Sequence, residues 1–126
     1  PVEWPHKVEC CGAGLSVSRT DLVAKLSGAI VAAAAKRGAE AIITVCPMCH
    51  TNLDMRRDWI DQELGRSCRI PVLYLTQAIG LALGLDENTL GLHRHFVPVE
   101  FAPASPMPVT VGTPTKAAAA AGNKGQ

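Results

Sequence analysis

The chain has 126 residues and a net charge of +1 at pH 7, with 12 Lys and Arg against 11 Asp and Glu. That length predicts one domain with a real core, and so even a charge excludes the basic signature of a nucleic-acid binder or an anionic-membrane binder. Apolar residues make up 48% of the chain but aromatic residues only 4%, so the core has to be built mainly from small aliphatic side chains.

No N-terminal pattern marks a secretory signal. The longest nearly uncharged run, Leu26 to Ala35, is about half of the roughly 20 residues a membrane helix needs. The expectation is a chain with no transmembrane segment in a reducing, cytoplasmic compartment. Five cysteines there point to metal binding or redox chemistry rather than structural disulfides.

Residues 1–9 form a short segment that can end as a strand before Cys10-Cys11-Gly12-Ala13-Gly14. Side chains of adjacent strand residues point to opposite faces, so for both sulfurs to reach one partner the backbone must turn, which Gly12 and Gly14 permit. A helix follows, with Ser18 or Thr20 as its cap and Asp21 in its first turn. Leu22, Leu26, Ala29, Ile30 and Ala33 form its apolar stripe. Lys36 and Arg37 sit in its last turn and Gly38 stops it.

Residues 39–45 read as a strand buried on both faces, hence parallel. Cys46-Pro47-Met48-Cys49-His50 closes that strand and opens a helix, with Pro47 at its first position. The helix runs to about Gly65. Met55, Trp59, Ile60 and Leu64 are expected inside, and Asp54, Arg57, Asp58 and Asp61 outside, with Arg57 spaced to pair with Asp61. A third strand spans 70–75, with Pro71 near its start. Thr76 caps a short helix, 77–83, ended by Gly84. A further turn holds Asp86, Glu87 and Asn88.

From Pro98 onward the composition changes to Pro and Ala, with little to bury. The expected organisation is a module over 1–97 and a flexible tail over 98–126. The fold class is α/β, a small open parallel sheet flanked by helices, with a disordered C-terminal tail. Both cysteine pairs fall where strands end and helices begin, the place where sites gather in open α/β folds.

Cys46 and Cys49 alone suit four chemistries: a thioredoxin-like dithiol, c-type haem attachment, zinc, or an iron–sulfur cluster. The plain alternative is four buried free thiols. Cys10 and Cys11 discriminate. A dithiol oxidoreductase has no use for a second pair, and haem attachment leaves that pair idle. Adjacent cysteines strain a zinc tetrahedron, whereas a polynuclear cluster offers them different irons.

Cys10-Cys11-Gly12, a gap of 34 residues, then Cys46-Pro47-Met48-Cys49 resembles the cysteine-rich "CCG" domain in the B-type subunit of heterodisulfide reductase. Asn52-Leu53-Asp54, the stretch Pro71-Val72-Leu73-Tyr74-Leu75-Thr76-Gln77 and the stretch from Gly80 to Leu85 extend the likeness over about residues 7 to 97. The resemblance implies a noncubane [4Fe-4S] cluster with Cys10, Cys11, Cys46 and Cys49 as ligands. It implies an oxidoreductase that cleaves or forms a disulfide, working in a complex with iron–sulfur (C-like) and flavin (A-like) partners. A full module of that family has a further cysteine well upstream of the adjacent pair, where this chain has nine residues. The expectation is therefore the C-terminal half of a longer subunit, or a split subunit. Two other readings are an electron-transfer or docking module, as in glycolate and lactate oxidase iron–sulfur subunits, and a zinc-stabilised interaction domain.

Among the remaining candidates, His50 is placed to hydrogen-bond a cluster sulfur or substrate, against the plainer role of a polar helix residue. Cys68 is expected as a free thiol in a loop. His93 and His95 alternate as ligands do on a strand, but with no third ligand evident a surface or partner contact is expected. Arg56 and Arg57 suit an anionic substrate or a solvated face, and Trp59 suits core or interface. Glu40 has no nearby partner that would make it an acid or base.

Overall fold

The computed structural model describes residues 1–100; of the expected tail, residues 101–126 lie outside the described residues. Two short strands, β1 (Ile42–Thr44) and β2 (Val72–Tyr74), pair in parallel with Ile42 opposite Val72 and Thr44 opposite Tyr74. The helices are α1 (Thr20–Lys36), α2 (Pro47–His50), α3 (Arg57–Leu64), α4 (Leu75–Ala82) and α5 (Glu87–Leu90). The α/β class and the small parallel sheet are as expected. The strand expected to end residues 1–9 does not form; that segment instead makes a turn closed by local pairs, Glu3 with Lys7 and His6 with Glu9, each at 2.6 Å.

Long helix α1 carries the packing. Its buried face is Val23, Ser27, Ile30, Val31 and Ala34, one residue round from the expected stripe, so Leu26 and Ala29 are exposed. Both stripes have helical spacing. The polar Ser27 hides the real one, and it tolerates burial because its hydroxyl donates to the Cys11 carbonyl at 3.3 Å. Neither Ser18 nor Thr20 caps the helix: Arg19 occupies that position and pairs with Asp21 at 2.8 Å. Gly38, at φ 68°, follows its C-terminus in the left-handed conformation.

The core gathers Cys11, Ile30, Val31, Ala34, Ile42, Leu53, Ile60, Cys68 and Val72. Strand β1 is not buried on both faces: Ile42 is inside, while Ile43 and Val45 are exposed. Cys68 is a free thiol, as expected, but it is buried in the core rather than loose in a loop.

The expected long helix after Cys46 is broken. Pro47–His50 is α-helical, Thr51–Met55 is a wider π-type turn, and Arg56 (φ −94°, ψ 29°) interrupts before α3. A π-turn inserts an extra residue and rotates everything beyond it relative to an unbroken helix. Met55 and Trp59 consequently face solvent, and Asp54 and Arg57 are buried, the reverse of the expected faces. Arg57 does not pair with Asp61: it donates to the carbonyls of Cys68 (2.9 Å) and Ile70 (2.8 Å), while Asp61 accepts the Cys68 N–H.

Helix α4 starts at Leu75, two residues earlier than expected, because Gln77 rather than Thr76 closes its N-terminus by accepting the Tyr74 N–H at 2.9 Å. Asp86 caps α5 by accepting the N–H groups of Asn88 and Thr89. No helix among the described residues is long and apolar enough to cross a membrane.

Candidate metal centre

The adjacent cysteines leave the 3₁₀ turn Ala13–Leu15 on one side and face α1 on the other. Gly12 makes the turn at φ 84°, a conformation costly for any residue with a Cβ. Its N–H donates to the sulfur of Cys10 at 3.4 Å. Cys10 is exposed, while Cys11 is wholly buried. The sulfur of Cys11 accepts a hydrogen bond from the Asn52 amide at 3.4 Å, and Asn52 is in turn fixed by Ser16 at 3.2 Å.

The second pair stands at the end of β1. Cys46 precedes α2, and its N–H is tied to the Thr44 hydroxyl at 3.2 Å. Its thiol lies below its ordinary pKa because the backbone N–H groups of Cys49 and Met48 favour the thiolate, with the Cys49 thiol adding to them. Cys49 is pushed up to about 12, first by burial and then by the Cys11 thiol and the Cys46 thiol beside it.

Cys49 packs against the core cluster that contains Cys11, and the thiols of Cys11, from the distant pair, and Cys46, from its own, both hold its proton more tightly. The two cysteine pairs are thus neighbours through Cys11 and Cys49. Cys10 lies on the exposed side of the same turn, its sulfur toward the Gly12 N–H. Soft, crowded thiols that cannot all ionise without a nearby cation are the donor set of a thiophilic metal or an iron–sulfur cluster. The residues present fit such a group.

The other candidates separate. His50 is stacked on Tyr74 at 4.2 Å and meets His95 edge-on at 5.0 Å. Burial holds its pKa below the ordinary value, with Asp54 opposing and His95 reinforcing that effect. His95 is not a surface residue: its side chain is 3% exposed beside Asp54, whereas His93 is exposed. Arg56 lies over Trp59 at 4.7 Å and donates to the Ser16 carbonyl, while Arg57 is structural. Glu40 is exposed. Sequence reasoning misses Asn52 and Asp54 as site residues; their signal is spacing, since Asn52 follows Cys49 and Asp54 follows His50 by about one helical turn.

Residues 1–54, which include all four cysteines of the two pairs, match the family model of the cysteine-rich CCG domain. The chain is 32% identical over 98 residues to the B-type subunit of the ferredoxin:CoB-CoM heterodisulfide reductase of Methanosarcina mazei, covering 76% of this chain and 33% of the relative. It is 31% identical over 98 residues to the B-type subunit of the ferredoxin/F420H2-dependent CoB-CoM heterodisulfide reductase of Methanosarcina acetivorans, with the same coverage. It is also 31% identical over 96 residues to the 8-methylmenaquinol:fumarate reductase membrane anchor subunit of Wolinella succinogenes, covering 76% of this chain and 34% of that protein. The chain spans about a third of the length of these curated relatives. It is thus similar to the B-type subunit of heterodisulfide reductase over most of its length, and its residues 1–54 match the cysteine-rich CCG domain.

Proposed function

We propose that this chain is the iron–sulfur module of a heterodisulfide-reductase-like oxidoreductase, acting within a larger chain or complex. Cys10, Cys11, Cys46 and Cys49 hold a noncubane [4Fe-4S] cluster. The observation that carries this reading is the packing of Cys49, from one pair, against the buried core that holds Cys11, from the other. When bound, the cluster stores electrons and offers iron to a sulfur substrate, a disulfide or its thiol halves.

The chain's own residues tune and enclose that centre. Asn52 donates to Cys11 and the Gly12 N–H to Cys10, and the backbone N–H groups of Cys49 and Met48 favour the Cys46 thiolate. Hydrogen bonds to ligand sulfurs draw off charge and raise a cluster's reduction potential. Burial of Cys11 keeps water from one side, and the exposed Cys10 leaves the other open to substrate or to a partner protein. Electrons arrive from C-like iron–sulfur and A-like flavin subunits in a cytoplasmic complex.

The test is anaerobic reconstitution, with iron and sulfide counted and an EPR signal sought in the oxidised state with a thiol substrate. Iron and sulfide together with a thiol-dependent signal support the full proposal; zinc without sulfide removes it in favour of a zinc-stabilised interaction domain. A second reading, an electron-transfer module without disulfide chemistry, is favoured by the similarity to a fumarate reductase component. Normal cluster content with electron transfer but no thiol-dependent signal selects it.

A further inference from the structure

His50, the last residue of α2, belongs to a second constellation. One donor atom each from His50, Asp54 and His95 lies within 4.8 Å of the other two. His50 Nε2 and His95 Nδ1 are buried, and neither has a hydrogen-bond partner among the described residues. The His95 side chain is 3% exposed and that of Asp54 1%, with Nδ1 of His95 3.9 Å from the Asp54 carboxylate. That separation is too long for a hydrogen bond. Orphaned buried nitrogens facing a carboxylate need an explanation.

We propose that His50, Asp54 and His95 bind a divalent transition metal, zinc or ferrous iron, at a site distinct from the thiol centre. Two imidazoles and one carboxylate are a donor set for such ions, and three protein ligands leave a coordination position open. The donors are oriented by their surroundings, as metal ligands generally are. Both Asp54 oxygens are fixed by backbone N–H groups, from Phe96 at 3.0 Å and Val97 at 3.2 Å, each leaving a lone pair free. His50 is clamped on Tyr74. A cleft of about 400 Å³ bounded by His50, Tyr74, Gln77, Leu90 and His95 gives access from solvent. Donors around a tetrahedral ion stand about 3.3 Å apart, so small rotations of the two rings close the site.

Loading the site has one structural consequence. With metal on Nδ1, the ring proton of His95 moves to Nε2, which lies 2.9 Å from the amide nitrogen of Gln77. Gln77 must then turn its amide oxygen toward the ring, giving up its present bonds to the Tyr74 N–H and the Leu90 carbonyl. The metal-free and loaded states therefore differ at Gln77.

The experiment uses the full chain, purified anaerobically and exposed to zinc alone. Zinc is counted beside iron and sulfide, its neighbours are read from zinc-edge X-ray absorption, and the Gln77 side-chain amide is followed by NMR. The expected result is bound zinc with nitrogen and oxygen neighbours and a shifted Gln77 amide. His50→Gln and His95→Gln should each weaken that zinc at least about 10-fold, with iron and sulfide contents unchanged. Zinc surrounded by sulfur alone, zinc held equally by both His variants, or no zinc bound overturns the proposal and leaves a water-filled polar pocket. If both variants fail to fold, the zinc-edge spectrum and the Gln77 shift of the native chain decide. Iron and sulfide counts keep this result separate from that of the cluster assignment.

Discussion

The Asn52 side-chain amide donates to the sulfur of Cys11 at 3.4 Å, a contact between residues 41 positions apart in which both partners are wholly buried. It ties the π-turn after Cys49 to the turn that carries the adjacent cysteines. Replacing Asn52 with Ala removes this bond and leaves the buried Ser16 hydroxyl without the Asn52 oxygen it donates to. The expected cost is about 1–3 kcal/mol in stability, read as a lower urea midpoint. In cluster-loaded protein the same change should lower the reduction potential, because a ligand sulfur loses a donor. An unchanged potential in a folded, iron-loaded variant would remove Asn52 from the electrostatics of the centre.

Gly12→Ala tests the turn itself. At φ 84° a Cβ is strained, and it would stand 2.9 Å from the Leu26 side chain. The expected outcome is a loss of about 1–2 kcal/mol from the left-handed conformation, together with displacement of Cys10 and Cys11. Iron content after reconstitution should fall further than stability alone accounts for. Gly14→Ala is the control, since a Cβ there meets nothing within 4 Å; equal iron contents in the two variants would separate the turn from the site.

The paired thiols give a pH dependence. Cys49 is raised from 9.0 to about 12 by burial and by the neighbouring thiols. The folded chain then holds that proton more tightly than the unfolded chain. Its contribution to stability is complete below pH about 9 and declines as pH rises toward 12. Cys46 shifts the other way, so its contribution is fully established by pH about 9 and adds no slope above it. Metal-free protein should therefore lose stability above pH about 9 in urea titrations, and Cys49→Ser should flatten that decline. Alkylation at neutral pH should label Cys46 well before Cys49; the opposite order would contradict the hydrogen bonds to Cys46.

Motif and placement make the thiol centre legible without the fold. Each pair is bordered by Gly or Pro, and Cys46 follows β1 as expected, but Cys10 and Cys11 follow a turn rather than a strand, so the strand-end placement read from the sequence holds for one pair only. The second constellation is hidden from the sequence for a physical reason. His95 becomes a partner of His50 only through the return of residues 95–97 onto Asp54, a contact between residues 42 and 43 positions apart, and no local pattern announces it. Asp54, Met55, Arg57 and Trp59 are assigned to the wrong face from sequence because a π-turn has no strong signature and shifts the helical phase where it occurs. Ile60 lies in the core with Leu64 packed against it, and Asp58 outside, as expected, so the phase is lost over part of the face and kept over the rest.

Arg57 is where that phase matters most. The residue is 4% exposed, and its guanidinium donates to two carbonyls in the segment leading into β2, those of Cys68 and Ile70. Burial pulls its pKa below the ordinary value, with Cys68, Asp54 and Asp61 opposing. An Arg on a solvated helix face would be worth a few tenths of a kcal/mol. One that satisfies two buried acceptors is different: Arg57→Ala leaves both carbonyls unpaired and a void where the side chain lay, for an expected loss of about 2–4 kcal/mol. Arg57→Lys should recover only part of this, because an ammonium lacks the planar fork that reaches both carbonyls at once. Urea denaturation of the two variants checks the order, and hydrogen exchange at Val72 and Leu73 should rise in step with the loss. A cost below about 0.5 kcal/mol for Arg57→Ala would return the residue to the exposed face and with it the unbroken helix.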